Sequence, residues 1–203
     1  MKIKVCGLTS PNEAAYLNKD RVDFAGFVLF FPKSKRNITI AQAKEIMKEL
    51  DPSIQKVAVV VSPTPAQAEE ICRSEFDYIQ IHGNLEETVL ACLTIPALKA
   101  FNITDMDHFH TYQTCPKIKG YVFDAQEPGS GTVFDWKLVS NIPRDDKLFL
   151  LAGGLNPDNV ADAILALSPD GVDVSSGVEY GKDMLGKDPE KIHAFVKKVR
   201  GLT

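Results

Sequence analysis

Eight short runs of apolar, largely β-branched residues recur along this 203-residue chain, about 24 residues from one start to the next. They are Ile3–Cys6, Phe24–Leu29, Lys56–Val61, Tyr78–Ile81, Ala97–Phe101, Gly120–Phe123, Leu148–Ala152 and Gly171–Val174. Continuous apolar runs, as opposed to strict alternation, are the pattern of strands buried on both faces in a parallel sheet. The intervening segments carry helix start signals. Ser10-Pro11-Asn12-Glu13 reads as a capping box with proline at the first helical position. Thr39…Gln42 and Thr64…Gln67 repeat that logic, while Asn156-Pro157-Asp158 and Asp188-Pro189-Glu190 each offer a capping side chain, then proline, then an acid facing the helix dipole. The segments before the fifth and seventh runs are less regular, and 134–141 is the weakest helix. Eight uninterrupted β-α units predict a closed (β/α)8 TIM barrel, in one domain spanning residues 1–203. An open doubly wound sheet would carry a glycine-rich turn after its first strand, but Cys6-Gly7-Leu8-Thr9 has no G-x-G-x-x-G.

Composition narrows the function. Twenty-three Lys and Arg against 27 Asp and Glu leave a net charge of −4, with no basic footprint for nucleic acid. No apolar run approaches the roughly 18–20 residues of a membrane span, and strand-like alternation begins at Met1-Lys2-Ile3 with no room for a secretory signal. A cytoplasmic chain is the expectation. Cys6, Cys72, Cys92 and Cys115 have no C-x-x-C spacing and are expected as reduced thiols. The two N-x-T sites, at Asn37 and Asn102, then have no meaning for a chain that never meets the glycosylation machinery.

In a parallel barrel the strand C-termini open on one face, so residues following the eight runs become neighbours. Those residues are chemically rich. Gly153-Gly154 and Ser175-Ser176-Gly177 follow the last two runs, the loops that commonly form a barrel's phosphate site, although tight turns alone would also use these glycines. Cys6 ends the first run before a glycine; as a thiolate stabilised by local donors it would be a base or nucleophile, and otherwise it is a small buried hydrophobe. Asp124 ends the sixth, where burial would raise its pKa and keep a proton for donation, or where it could accept loop N–H bonds. A base and an acid on opposite sides of one mouth suit moving a proton within a single substrate. Arg36, in a basic loop, could clamp a carboxylate with both guanidinium arms. His82 either lines the pocket or is a structural histidine. Gly181…Gly186-Lys187-Asp188 nearly matches a P-loop but lacks the Ser/Thr for magnesium and a strand leading into it. Asp107-His108-Phe109-His110 lacks a third ligand at suitable spacing, so no metal is expected.

Seven blocks in order, nearly end to end, resemble the phosphoribosylanthranilate isomerase family of tryptophan biosynthesis. They are Lys4–Thr9; Gly26-Phe27-Val28 with Pro32–Arg36; Ile79–Gly83; Asp124; Gly129-Ser130-Gly131 with Phe134-Asp135-Trp136; Gly153–Asn159; and Val172–Glu179. The resemblance implies an Amadori rearrangement of N-(5-phosphoribosyl)anthranilate without metal or cofactor. The acid matching Asp124 would protonate the ring oxygen, and the cysteine matching Cys6 would remove the C2 proton. Arg36, His82 and Asp173 would bind substrate, and Gly153, Gly154, Ser175, Ser176 and Gly177 the phosphate. It also implies a monomer whose partner is this small phosphorylated substrate. The chain departs from the family at Pro128, where a glycine is expected, and at Ala152, where serine is frequent. Both changes bear on loop closure and leave acid and base untouched. A thiol hydrolase pairing Cys6 with His82, and a sugar-phosphate binding module without turnover, are the rival functions.

Overall fold

A computed structural model describes residues 1–102, 109–124, 142–181 and 184–202. Nine parallel strands form one sheet: β1 Lys2–Cys6, β2 Phe24–Leu29, β3 Asn37–Ile38, β4 Gln55–Val61, β5 Tyr78–His82, β6 Ala97–Asn102, β7 Ile118–Asp124, β8 Leu148–Leu151 and β9 Gly171–Val174. Because β1 pairs with β2 on one side (Cys6↔Gly26) and with β9 on the other (Lys4↔Asp173), the sheet closes on itself. Strand β3 is a two-residue addition to the end of β2, so the wall itself has eight strands, as predicted. Each apolar run coincides with a wall strand to within two residues at either end. Neither β3 nor the antiparallel hairpin of β10 (Glu179–Gly181) and β11 (Met184–Lys187) is visible as an apolar run, since both are short and mostly polar.

Side-chain alternation divides the core in two. Inward residues such as Phe24, Val57, Val59, Leu98, Val122 and Leu150 fill the barrel. Outward residues, among them Ile3, Val5, Phe27, Ile79 and Phe123, meet the helices in a larger layer. Full burial of each such side chain is worth about 1.5–3 kcal/mol, which is why parity in these strands is strongly specified. The helices are α1 Asn12–Asp20, α2 Ile40–Lys48, α3 Pro65–Cys72, α4 Glu87–Cys92, α5 Phe109–Gln113, α6 Val160–Leu167 and α7 Pro189–Arg200. Residues 134–141 lie outside the described residues.

Three of the five predicted starts behave as expected. Thr39 and Thr64 form complete capping boxes with Gln42 and Gln67, and Asp188 accepts from the N–H groups of Glu190 and Lys191 ahead of Pro189. The other two differ. Glu13 Oε2 accepts from the N–H groups of Thr9 (2.6 Å) and Ser10 (3.0 Å), so the glutamate makes its half of the box. Pro11, not Ser10, occupies the cap position, without a side-chain bond. Asn156 Oδ1 accepts from Asp158 and Asn159, closing a turn that delays α6 to Val160.

Helix α7 packs on α1 and α6, so its start is coupled to the wall near β1. Asp188→Ala should lower unfolding free energy by about 1 kcal/mol through loss of its cap, with the denaturant slope unchanged in urea titration.

Candidate active site

The inner face of β1 carries Lys4 and Cys6, two residues apart and therefore on the same side of the wall. Register places Lys4 beside Asp173 of β9 and Cys6 beside Gly26 of β2. Lys4 Nζ donates to Asp173 Oδ2 at 2.8 Å, and both side chains are buried. Asp173 Oδ1, also buried, has no hydrogen-bond partner among the described residues. Burial drives the Asp173 carboxyl above the usual carboxylate range, against the opposing charges of Lys4 and Lys187. Burial alone would push Lys4 down, but Asp173 and Cys6 together carry it above its ordinary value, so it stays protonated.

Burial decides the state of Cys6, which the sequence left open. Donors do face the sulfur, yet burial outweighs them and pushes the thiol up, with Lys4 and Lys187 opposing and Asp173 reinforcing the shift. At neutral pH Cys6 is a thiol, because charging a desolvated sulfur costs more than the nearby cations return.

A second polar cluster surrounds Glu179, the first residue of β10. Its carboxylate is bonded by Arg36 Nε, by Lys35 Nζ at 2.8 Å and by Lys187 Nζ at 3.1 Å. Although burial raises it, the bond from Arg36 and the charge of Lys187 pull Glu179 down to about 2. Arg36 Nε is thereby committed, and its two Nη groups are the edge left for a ligand. The alkyl stem of Arg36 lies over Gly7, where an added Cβ would sit 2.4 Å from Cδ; Gly7 also has φ +83°, a backbone suited to glycine. Lys187 reaches further, to Ser175 O at 3.2 Å and Ser175 Oγ at 3.4 Å. Its place in the hairpin, buried and bonded to Glu179, disposes of the near-match to a P-loop.

The two glycine-bearing loops meet. A Cβ on Gly177 would lie 1.9 Å from Leu155 O, so the segment after β9 rests directly on the segment after β8. Gly153 (φ +86°) and Gly154 (φ +65°) are both left-handed, and their N–H groups have no acceptor among the described residues. Asn159 Nδ2 holds Gly154 O at 3.0 Å. The Ser175 hydroxyl donates to Cys6 O at 2.9 Å, stitching the end of β9 to the end of β1. Ser176 and Gly177 lie in a short 3₁₀ turn, Ser176–Val178.

Asp124 is the last residue of β7, half-buried, opposite Asn102 in register and of the same inward parity as Val122. Three strand steps separate β7 from β1 around the wall, through β8 and β9. His82 ends β5, where Gln80 Nε2 lies 2.8 Å from His82 Nε2. Burial and the charges of Lys4 and Lys99 lower His82 to about 3, so it is neutral throughout the physiological range and a poor base for Cys6. The hydrogen-bond partner of His82 is Gln80, so a Cys6–His82 pair, as a thiol hydrolase would use, gains no support from the geometry. His110 bonds Gln113, and no group of three potential metal ligands occurs among the described residues, while Asp107 and His108 lie outside them. Pro128 and the block 129–136 also fall outside; Ala152 is an interior wall residue at the end of β8.

Structure thus gathers Cys6, Asp173, Arg36, Ser175 and Gly177 around a shared charge network, with Asp124, His82, Gly153 and Gly154 on other strand ends of the same rim. Sequence reasoning named Lys4, Glu13, Glu179 and Lys187 only as members of blocks or turns and gave none of them a role in the site. Lys4 had a signal, a charge at inward parity in an otherwise apolar strand. The link between Glu13 and Lys187 had none, because it (Lys187 N–H to Glu13 Oε1, 2.6 Å) joins residues 174 apart.

A closed parallel barrel with acid, thiol, guanidinium and glycine loops on its C-terminal rim defines an enzyme of the (β/α)8-barrel class. Residues 3–198 match the family described as N-(5′-phosphoribosyl)anthranilate (PRA) isomerase. Among curated relatives, the N-(5′-phosphoribosyl)anthranilate isomerase of Geotalea daltonii is 37% identical, covering 98% of this chain and 96% of its own. Among solved structures, phosphoribosyl anthranilate isomerase from Thermotoga maritima superposes with TM-score 0.86 at 32% identity, over 99% of both chains. Another, of phosphoribosyl anthranilate isomerase in complex with reduced 1-(o-carboxyphenylamino)-1-deoxyribulose 5-phosphate, gives 0.83 at 31% identity over 99% of both. This chain belongs to the N-(5′-phosphoribosyl)anthranilate isomerase family and is an isomerase.

Because the Glu179 pKa is depressed, its contribution to stability is fully present above about pH 4.5 and is lost as pH falls towards about 2. Glu179→Gln should therefore be less stable than wild type at neutral pH, and the gap should close across that window in denaturant titrations.

Proposed function

We propose that this chain converts N-(5′-phosphoribosyl)anthranilate to 1-(2-carboxyphenylamino)-1-deoxyribulose 5-phosphate, with Asp124 as general acid and Cys6 as general base. The observation that carries this is the inward placement of both side chains at strand C-termini, three strand steps apart on one rim. A sugar lying across the mouth would meet both. Asp124 would donate its proton to the ring oxygen as the C1–O bond breaks and the anthranilate nitrogen forms a C1=N bond. Cys6 would take the C2 proton, whose electrons form the C1=C2 bond of an enolamine. The C1=C2 electrons would then take the proton back at C1 while the 2-hydroxyl gives its proton to the Asp124 carboxylate and becomes the ketone. The sequence is thus redox-neutral overall, restores acid and base, and moves hydrogen from C2 to C1.

The remaining groups fit the rest of the substrate. The Nη edge of Arg36, fixed by Glu179, suits the anthranilate carboxylate in a bidentate contact. The paired loops at Gly153-Gly154 and Gly177 offer backbone N–H groups to the phosphate, a contact for which Ser175 would use its backbone because its hydroxyl is engaged. Asp173 Oδ1 is an acceptor awaiting a donor, which a sugar hydroxyl supplies. Neutral His82 would bond substrate without adding charge. All these groups come from one chain, which supports action as a monomer and a single domain over residues 1–203. A Thermotoga maritima relative is nonetheless described as dimeric.

Cys6→Ala and Asp124→Asn should each lower kcat by about 100-fold or more in a fluorescence assay of substrate loss, within the range of acid–base catalysis; wild-type turnover in either would refute that residue's role. Arg36→Ala should mainly raise KM. Activity requires thiolate and carboxylic acid together, and that pair carries the same proton count as thiol plus carboxylate. The kcat/KM profile should therefore be a bell whose alkaline limb lies above the ordinary thiol range, because burial raises Cys6, with no inflection from His82 near neutral pH.

A further inference from the structure

Lys4 has no role in the chemistry assigned above, yet it is fully buried beside the reacting thiol. An ammonium with no access to water needs acceptors for three N–H bonds. Asp173 Oδ2 supplies one at 2.8 Å. On the opposite side, the wall is cut away at Gly26: a Cβ there would stand 3.1 Å from Lys4 Nζ and 2.9 Å from Cys6 Sγ. The ammonium and the sulfur therefore flank one small gap, which exists because β2 has no side chain at that position. Across that gap the charge of the ammonium favours a thiolate, and a thiolate favours the ammonium. A neutral thiol is a weak acceptor for such a donor, whereas a thiolate is a strong one.

We propose that Lys4 is a positioning residue, the counter-ion that carries the Cys6 thiolate during proton abstraction, shared between Asp173 and sulfur through the gap at Gly26. This deepens the acid–base reading above and rests on Cys6 being the base. The groups facing Cys6 are Lys4 on its own strand, Asp173 on β9 and Lys187 on β11; His82 shares the field of Lys4 from across the barrel. Gly26 on β2 contributes no charge. Lys4 and Asp173 act on the sulfur with opposite sign. Asp173 both repels a thiolate and engages the ammonium, so the carboxylate restrains the base that the lysine promotes. When a donor on the substrate satisfies Asp173 Oδ1, that carboxylate holds Lys4 less strongly, and the ammonium is released toward sulfur as the C2 proton is taken.

The test is a titration of the Cys6 thiolate by its ultraviolet absorbance in the folded full-length protein. The signal is the difference between each protein and its Cys6→Ala counterpart, so the other three cysteines cancel. Lys4→Gln should move the inflection up by at least about one unit, the size expected when an opposite charge within a few ångströms is removed. Asp173→Asn should move it down. The double variant Lys4→Gln/Asp173→Asn strands no charge and should titrate above Asp173→Asn alone, which decides the matter if Lys4→Gln does not fold. The alkaline limb of kcat/KM should follow each shift. A purely structural lysine would leave the inflection in place, or move it the same way in both single variants, and either result overturns the proposal. Wild-type turnover by Cys6→Ala would instead sink the base assignment while leaving this titration readable.

Discussion

Closure of the wall at β1 is the constraint from which the rest follows. That strand is bonded to β2 and β9 at once, and the Lys4–Asp173 pair crosses the β1–β9 seam inside the barrel. A buried ion pair is poor evidence of stability in general, since desolvation offsets most of its attraction. Breaking one, however, leaves a stranded charge, so the pair disfavours any register in which Lys4 and Asp173 do not meet. Ser175 reinforces the seam one step higher through its bond to Cys6 O. Cys6 is thus held at the point where the first and last strands of the barrel are tied.

Charge is concentrated on this side of the rim for a physical reason. Glu179 gathers Arg36, Lys35 and Lys187, and Lys187 connects that group to Ser175 and to Glu13 at the start of α1. Three cations on one carboxylate leave local positive charge in excess, which suits a dianionic phosphate and a carboxylate at the same mouth. His82, elsewhere on the rim, is kept neutral by its own burial and by the charges of Lys4 and Lys99. A site of this kind stores positive potential instead of a preformed thiolate. Thiol ionisation is consequently coupled to what the lysine nearby is bonded to.

Much of the architecture was legible because buried parallel strands are continuous apolar runs and because Thr39, Thr64 and Asp188 cap helices through bonds to residues two or three positions away. Such bonds depend on short-range geometry, which spacing encodes. The two starts that differed, at Ser10 and Asn156, are places where only the Glu13 half of the box forms, or where a turn closed by Asn156 itself shifts the cap position to Asn159. For the site, residues following each run could be named as a group, and most of them do sit on one rim.

Local chemistry in the chain therefore determined strand parity, barrel class and the roster of rim residues, because each depends on a residue and its near neighbours. Only the tertiary structure decided how those residues are charged and joined. Lys4 meets Asp173 across 169 positions, Lys187 meets Glu13 across 174, and Arg36 meets Glu179 across 143. Whether Cys6 is thiol or thiolate turns on burial against those distant charges, a balance of desolvation and Coulomb energy that no linear spacing contains.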